Sequence, residues 1–148
     1  MRLFLDTSVL LAASGSARGA SREIFRLGAN QRWSLIATPY VIEEVLTNIG
    51  ELGPAAAADW PKLRKDLLIF DDILTIDRPA VFSPAKDRPI LFSALAWADI
   101  LLTLDRADFV ELLGQSFYGL PVLKPGDFLQ RERHAGRLIL EAPEQKAP

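Results

Sequence analysis

Five short stretches of this chain are apolar without polar alternation, and their brevity makes them strands rather than helices. They are Arg2–Leu5 (RLFL), Ser34–Ala37 (SLIA), Ile73–Ile76 (ILTI), Ile100–Thr103 (ILLT) and Pro121–Leu123 (PVL). A strand with one face in water alternates polar and apolar side chains, whereas a run without alternation is covered on both faces. Helical patterns lie between the runs. Ser21–Ala29 sets Ile24, Phe25 and Leu27 beside Arg22 and Arg26, and Pro39–Ile49 carries Val41, Ile42, Val45, Leu46 and Ile49 as one stripe. Thr38-Pro39 reads as the start of that second helix, a capping hydroxyl followed by proline in the first turn. Asp59–Phe70 would turn Trp60, Leu63, Leu67 and Phe70 inward, and Asp87–Ala98 would do the same with Ile90, Leu91, Ala94, Leu95 and Trp97. This alternation predicts an α/β fold: a three-layer α/β/α sandwich with a central parallel sheet of four to five strands.

The 148 residues suit one domain, expected over 1–140, with the Pro-rich, charged segment EAPEQKAP (141–148) as a frayed tail. The stretch DRPAVFSPAKDRP carries three prolines and reads as a long loop. The absence of cysteine excludes a disulfide framework, thiolate metal sites and a cysteine nucleophile, and it suits a reducing cytoplasm. A formal net charge of -2 means that a nucleic-acid ligand would be held by a local basic patch, not by the overall field. The beginning of the chain has some features of a secretion signal, but Asp6 interrupts the apolar region near its start. Ile90 to Leu104 is too short to span a bilayer and contains Asp99, so no membrane association is expected.

Asp6 sits between two segments that both avoid water, RLFL and VLLAA. Burying an unpaired carboxylate is costly, so either the chain turns to expose Asp6 or something positive meets it. In parallel α/β sheets ligands collect outside the carboxyl ends of the strands, which is where Asp6 falls. Asp105 follows the run ILLT and reaches the same edge. Glu44 comes from the helix that follows SLIA, although Glu43 competes with it for that role. Asp87, at the amino end of the helix feeding ILLT, would need the fold to bring it near. Acids converging without matching bases repel one another, and a divalent cation resolves the repulsion. An oxygen-only donor set, with the lone His134 far along the chain, points to Mg²⁺ or Mn²⁺ rather than zinc. Ser8 and Thr103 have short hydroxyls placed to orient these ligands.

The pattern resembles the PIN-domain ribonuclease family, which includes the toxins of toxin–antitoxin pairs. DTSVLLAA looks like that family's first-strand motif and TPYVIEEVL like its acid-bearing helix. DRPILFSALAWADILLTLDRADF is similar to the segment in which an aspartate opens a helix and a strand ends in a Thr-x-Asp turn. PVLKPGDFL is similar to the last strand and following helix. The resemblance implies metal-dependent endonuclease action on RNA, usually single-stranded, with Asp6 and Asp105 as central ligands and Glu44 and Asp87 completing the site. It also implies a homodimer and, for a toxin, a small antitoxin protein covering the acidic cleft. Asp108 is either an outer ligand or the cap of a following helix.

Other readings stand beside these. Asp6 could be a turn residue and Asp87 a plain helix cap. Arg18, Arg22 and Arg106 are candidates for phosphate contacts at the cleft rim, or else ordinary solvated charges. RERHAGR (131–137) reads as a charged terminal helix, His134 as a surface residue, and Trp33, Trp60 and Trp97 as core and interface residues. Asp99 is expected to end a helix, and Asp71, Asp72 and Asp77 to flank the third strand. Two rival functions remain. One is a phosphoacceptor receiver domain, with Asp6, Asp77, Thr103 and Lys124-Pro125 at the expected strand ends. The other is a PIN fold that binds without cutting.

Overall fold

The first strand, β1 (Arg2–Leu5), is buried at every position after Arg2, with Leu3, Phe4 and Leu5 all shut off from solvent. Neighbouring side chains on a strand point to opposite faces, so continuous burial means that both faces of the sheet are covered. The same holds for β2 (Ser34–Ala37) and β4 (Ile100–Leu102). This computed structural model describes residues 1–76, 87–109 and 111–139. The other strands among them are β3 (Leu68–Ile69), β5 (Ser116–Phe117) and β6 (Leu120–Leu123). The helices are α1 (Thr7–Gly15), α2 (Ala20–Gly28), α3 (Pro39–Asn48), α4 (Pro54–Arg64), α5 (Arg88–Trp97) and α6 (Pro125–His134).

The six strands form one sheet in the order β3-β2-β1-β4-β6-β5. β3, β2, β1, β4 and β6 run parallel, and only β5 pairs antiparallel, with β6. The sheet is therefore mixed, not purely parallel, in an α/β architecture compatible with three layers. Chain order runs outward in one direction from β1 through β2 to β3, and in the other from β4 to β6. The reversal falls between β1 and β4, and such a switch point opens a crevice at the carboxyl ends of the strands. A receiver fold would instead place its third strand beside the first. Here β2 and β4 flank β1, and Asp77, the acceptor which that reading requires, lies outside the described residues.

Four local expectations are corrected. The third strand is Leu68–Ile69, not Ile73–Ile76; Ile36 and Ala37 pair with it, and Phe70 N–H donates to Ala37 O at 3.0 Å. Residues 73–76 join no ladder, and Ile73 N–H donates instead to the Ser93 hydroxyl at 2.8 Å. The helix expected from Asp59 starts earlier, at Pro54 just after Gly53, and ends at Arg64. Thr38 does occupy the N-cap of α3, but its hydroxyl makes no capping bond; the Asp72 carboxylate accepts from Tyr40 N–H at 3.1 Å in its place. Leu46, expected on the buried stripe, is 60% exposed, while Val41 and Val45 are fully buried.

The segment after Asp6 is a helix. In α1, Val9, Leu10 and Ala13 are fully buried, and the helix packs against α2, α3 and α4. A helix covered on several sides needs no polar stripe, which explains its uniform apolar sequence. Arg22 locks this arrangement: it donates to Ala13 O and to Ser14 O at the end of α1, and pairs with Asp59 of α4 at 2.9 Å. The loop expectation over DRPAVFSPAKDRP falls largely outside the described residues, as does the tail from Glu141. Among the described residues no helix is long and apolar enough to cross a membrane.

The position of β3 has a direct check. Amide hydrogen exchange followed by NMR should show a slowly exchanging Phe70 N–H and fast exchange at Leu74 and Thr75. Protection at 74 and 75 with fast exchange at Phe70 would restore the strand to 73–76.

Candidate metal centre at the carboxyl edge of the sheet

Asp6 is 4% exposed, so the chain does not turn to release it into water. What meets it is the amino end of α1, for which Asp6 is the N-cap. Its Oδ1 accepts from Thr7 N–H at 2.7 Å. Its Oδ2 accepts from the Ser8 hydroxyl at 2.8 Å and the Thr103 hydroxyl at 2.7 Å. The positive partner is thus a helix end and two hydroxyl dipoles rather than a side-chain cation. Burial, the dominant influence, pushes the Asp6 carboxyl above the usual carboxylate range, while the bonds from Thr103, Ser8 and Thr7 oppose it; the nearby charge of Asp105 adds to the rise.

Each of the two hydroxyls also accepts a backbone N–H from the turn after β4. Leu104 N–H donates to Ser8 Oγ at 3.0 Å, and Asp105 N–H donates to Thr103 Oγ1 at 3.0 Å. Donor chains of this kind run from the turn, through the hydroxyls, to the anion, and each bond polarises the next. Asp6 N–H in turn donates to Leu102 O at 3.0 Å. The buried carboxylate therefore ties the turn that carries Asp105 to the junction of β1 and α1.

That turn is further shaped by Asp105 itself. Its Oδ1 accepts from Ala107 N–H and Asp108 N–H, each at 3.0 Å, an Asx-type arrangement that orients the carboxylate. Asp87, Asp105 and Asp108 each present a carboxylate oxygen within 4.8 Å of the others, close enough to hold one metal ion. Asp87 is buried and the other two are half-buried. Asp87 takes the N-cap position of α5, yet its side chain makes no capping bond to that helix, which weakens the plain-cap reading. Asp108 is followed by turns rather than by a helix among the described residues, so its capping alternative has no helix to serve.

Of the residues expected at the site, Asp87 and Asp105 come together, and Asp108, expected at most as an outer ligand, joins them as a full member. Asp6 lies outside this triple, with both oxygens engaged as described. Glu44 reaches the edge by another route: the Thr7 hydroxyl donates to its Oε1 at 3.0 Å. Glu43 on the same helix is exposed, so Glu44 is the acid turned toward Asp6. Ser8 and Thr103, expected to orient ligands of an ion, both donate to Asp6 Oδ2. Among the rim arginines, Arg22 is occupied by its bonds to α1 and α4, which removes it as a phosphate contact. Arg18 and Arg106 are exposed. Sequence reasoning overlooked Thr7; its place after Asp6, facing a helix acid, was the available clue.

Three carboxylates at this spacing suit a hard divalent cation with oxygen ligands, and the set contains no sulfur or imidazole that would favour zinc. No protein-family model matches the chain, and no curated protein is significantly similar to it.

The balance at Asp6 fixes a sign for pH dependence. With its pKa raised in the folded chain, the group stabilises the fold fully below the ordinary carboxylate range, and this contribution disappears as pH rises through the raised value. Once ionised, the group is a cost relative to its neutral form. In EDTA, Asp6→Asn should therefore resist urea better than the wild type at neutral pH, with the gap closing as pH falls. Lower stability of Asp6→Asn at neutral pH would mean that the hydrogen bonds to the anion outweigh its burial.

Proposed function

We propose that this chain is a Mg²⁺- or Mn²⁺-dependent ribonuclease that cleaves phosphodiester bonds of single-stranded RNA, as its resemblance to the PIN-domain family implies. The observation that carries the proposal is the Asp87–Asp105–Asp108 triple, whose oxygens lie within 4.8 Å of one another at the sheet's switch point. A cation held there would offset the negative charge that builds up on the phosphate and make an attacking water more acidic. The remaining work belongs to the chain's own residues. Asp105, Asp87 and Asp108 would hold the ion. Asp6, acting through Ser8 and Thr103, keeps the Asp105 turn in place, and Glu44, steadied by the Thr7 hydroxyl, stands at the same edge as an acceptor for a proton from water. The motifs quoted for the family place an acid at positions 6, 44, 87 and 105, and the geometry adds Asp108.

The test is cleavage of a labelled single-stranded RNA with Mn²⁺ and with EDTA. Asp105→Asn and Asp108→Asn should each lower the rate by about 10²-fold or more, and chelation should abolish it. Ser8→Ala, which removes an orienting hydroxyl, should cost about tenfold. Full activity in EDTA, or equal rates in wild type and Asp105→Asn, would contradict the proposal.

A further inference from the structure

A second feature of the same edge lies where β4 and β6 end side by side. Leu102 pairs with Leu123, and Thr103 N–H donates to Leu123 O at 3.0 Å. Lys124, the next residue after β6, is thereby brought beside the turn that carries Asp105 and Arg106. Arg106 and Lys124 line a pocket together with Leu113, Gly114 and Asp127. Gly114 has φ +77, which a side chain would strain, and its N–H donates to Val122 O at 2.8 Å; it keeps this wall open and tight against β6.

Several of the chain's arginines are committed to partners of their own. Arg22 is bound to α1 and α4, Arg26 pairs with Glu23 at 3.0 Å, and Arg137 forks onto Glu132 with two bonds of 2.8 Å. Arg106 is exposed and makes no hydrogen bond or ion pair among the described residues. Among the described residues Lys124 has only a loose contact with Asp127, at 3.8 Å. A chain with net charge -2 cannot attract a polyanion through its overall field, so an RNA strand at the acidic triple needs cations close by. The Arg106–Lys124 pocket supplies them next to Asp105, and its guanidinium and ammonium match phosphate oxygens.

We infer that this pocket is a backbone-phosphate subsite for the RNA strand, holding a phosphate adjacent to the one at the acidic triple. The inference rests on the ribonuclease reading and adds where the strand runs: from the β1–β4 crevice across the end of β6. Asp127 is a built-in opponent, because its carboxylate competes with phosphate for Lys124.

Binding of a short fluorescein-labelled oligouridylate, followed by anisotropy in EDTA across a salt series, tests the subsite without cleavage. Arg106→Gln and Lys124→Gln should each weaken binding about threefold or more and lower the slope of log K against log salt by about 0.7. Asp127→Asn should tighten binding, a gain that misfolding cannot mimic. Arg131→Gln, an equal loss of charge at an exposed position on α6, should change binding less than either. Equal effects at Arg106, Lys124 and Arg131, or no tightening in Asp127→Asn, overturn the subsite. If this pattern appears but Mn²⁺ elicits no cleavage, the subsite stands and the nuclease reading falls. If cleavage is intact and the pattern is absent, the reverse holds.

Discussion

Asp6 is the point on which the rest of the edge depends. A carboxylate this deeply buried is tolerated only when its oxygens are met, and here a helix N–H and two hydroxyls meet them. The same two hydroxyls accept the N–H groups of Leu104 and Asp105. One anion thus organises three separate pieces of chain: the end of β1, the first turn of α1 and the turn after β4. Removing a hydroxyl would leave a buried acceptor short of a donor and also release a backbone N–H, so the network's members stabilise one another.

The sheet explains why this happens between β1 and β4. Connections that leave in opposite directions from adjacent parallel strands leave a crevice at their carboxyl ends, and every acid of interest enters from its rim. Asp6 arrives from β1 and Asp105 and Asp108 from the turn after β4. Asp87 comes from the head of α5, the helix that leads into β4, and Glu44 comes from α3, which follows β2. Lys124 enters from β6, one strand further along. The edge therefore carries a graded charge pattern, acidic at the switch point and basic beside it, within a chain whose overall charge is close to neutral.

Much of this was legible from residue order, and the gaps have physical causes. β1, β2 and β4 could be read because burial on both faces leaves an unbroken apolar run. β3 could not, because it is two residues long and follows Trp60, Leu63 and Leu67, whose spacing continues a helical stripe. Ile73–Ile76 has strand-like composition, but it joins no ladder, and Ile73 N–H goes to the Ser93 hydroxyl instead. α1 was hidden for the opposite reason: packed on several sides, it shows no amphipathic period. At the site, Asp6, Glu44, Asp87 and Asp105 stand out as acids after strands or on helices feeding them. Asp108 was ambiguous because its membership depends on a turn closed by Asp105 Oδ1, a geometry that composition does not encode.

Whether Asp87, Asp105 and Asp108 together hold a divalent cation can be measured without any RNA, by following free Mn²⁺ with electron paramagnetic resonance as protein is added. Saturable binding that is lost in Asp105→Asn and in Asp108→Asn, and displaced by Mg²⁺, is the result required of these carboxylates. Mn²⁺ that stays free, or that binds both variants as well as the wild type, would leave the acidic triple without an ion and the proposed chemistry without its centre.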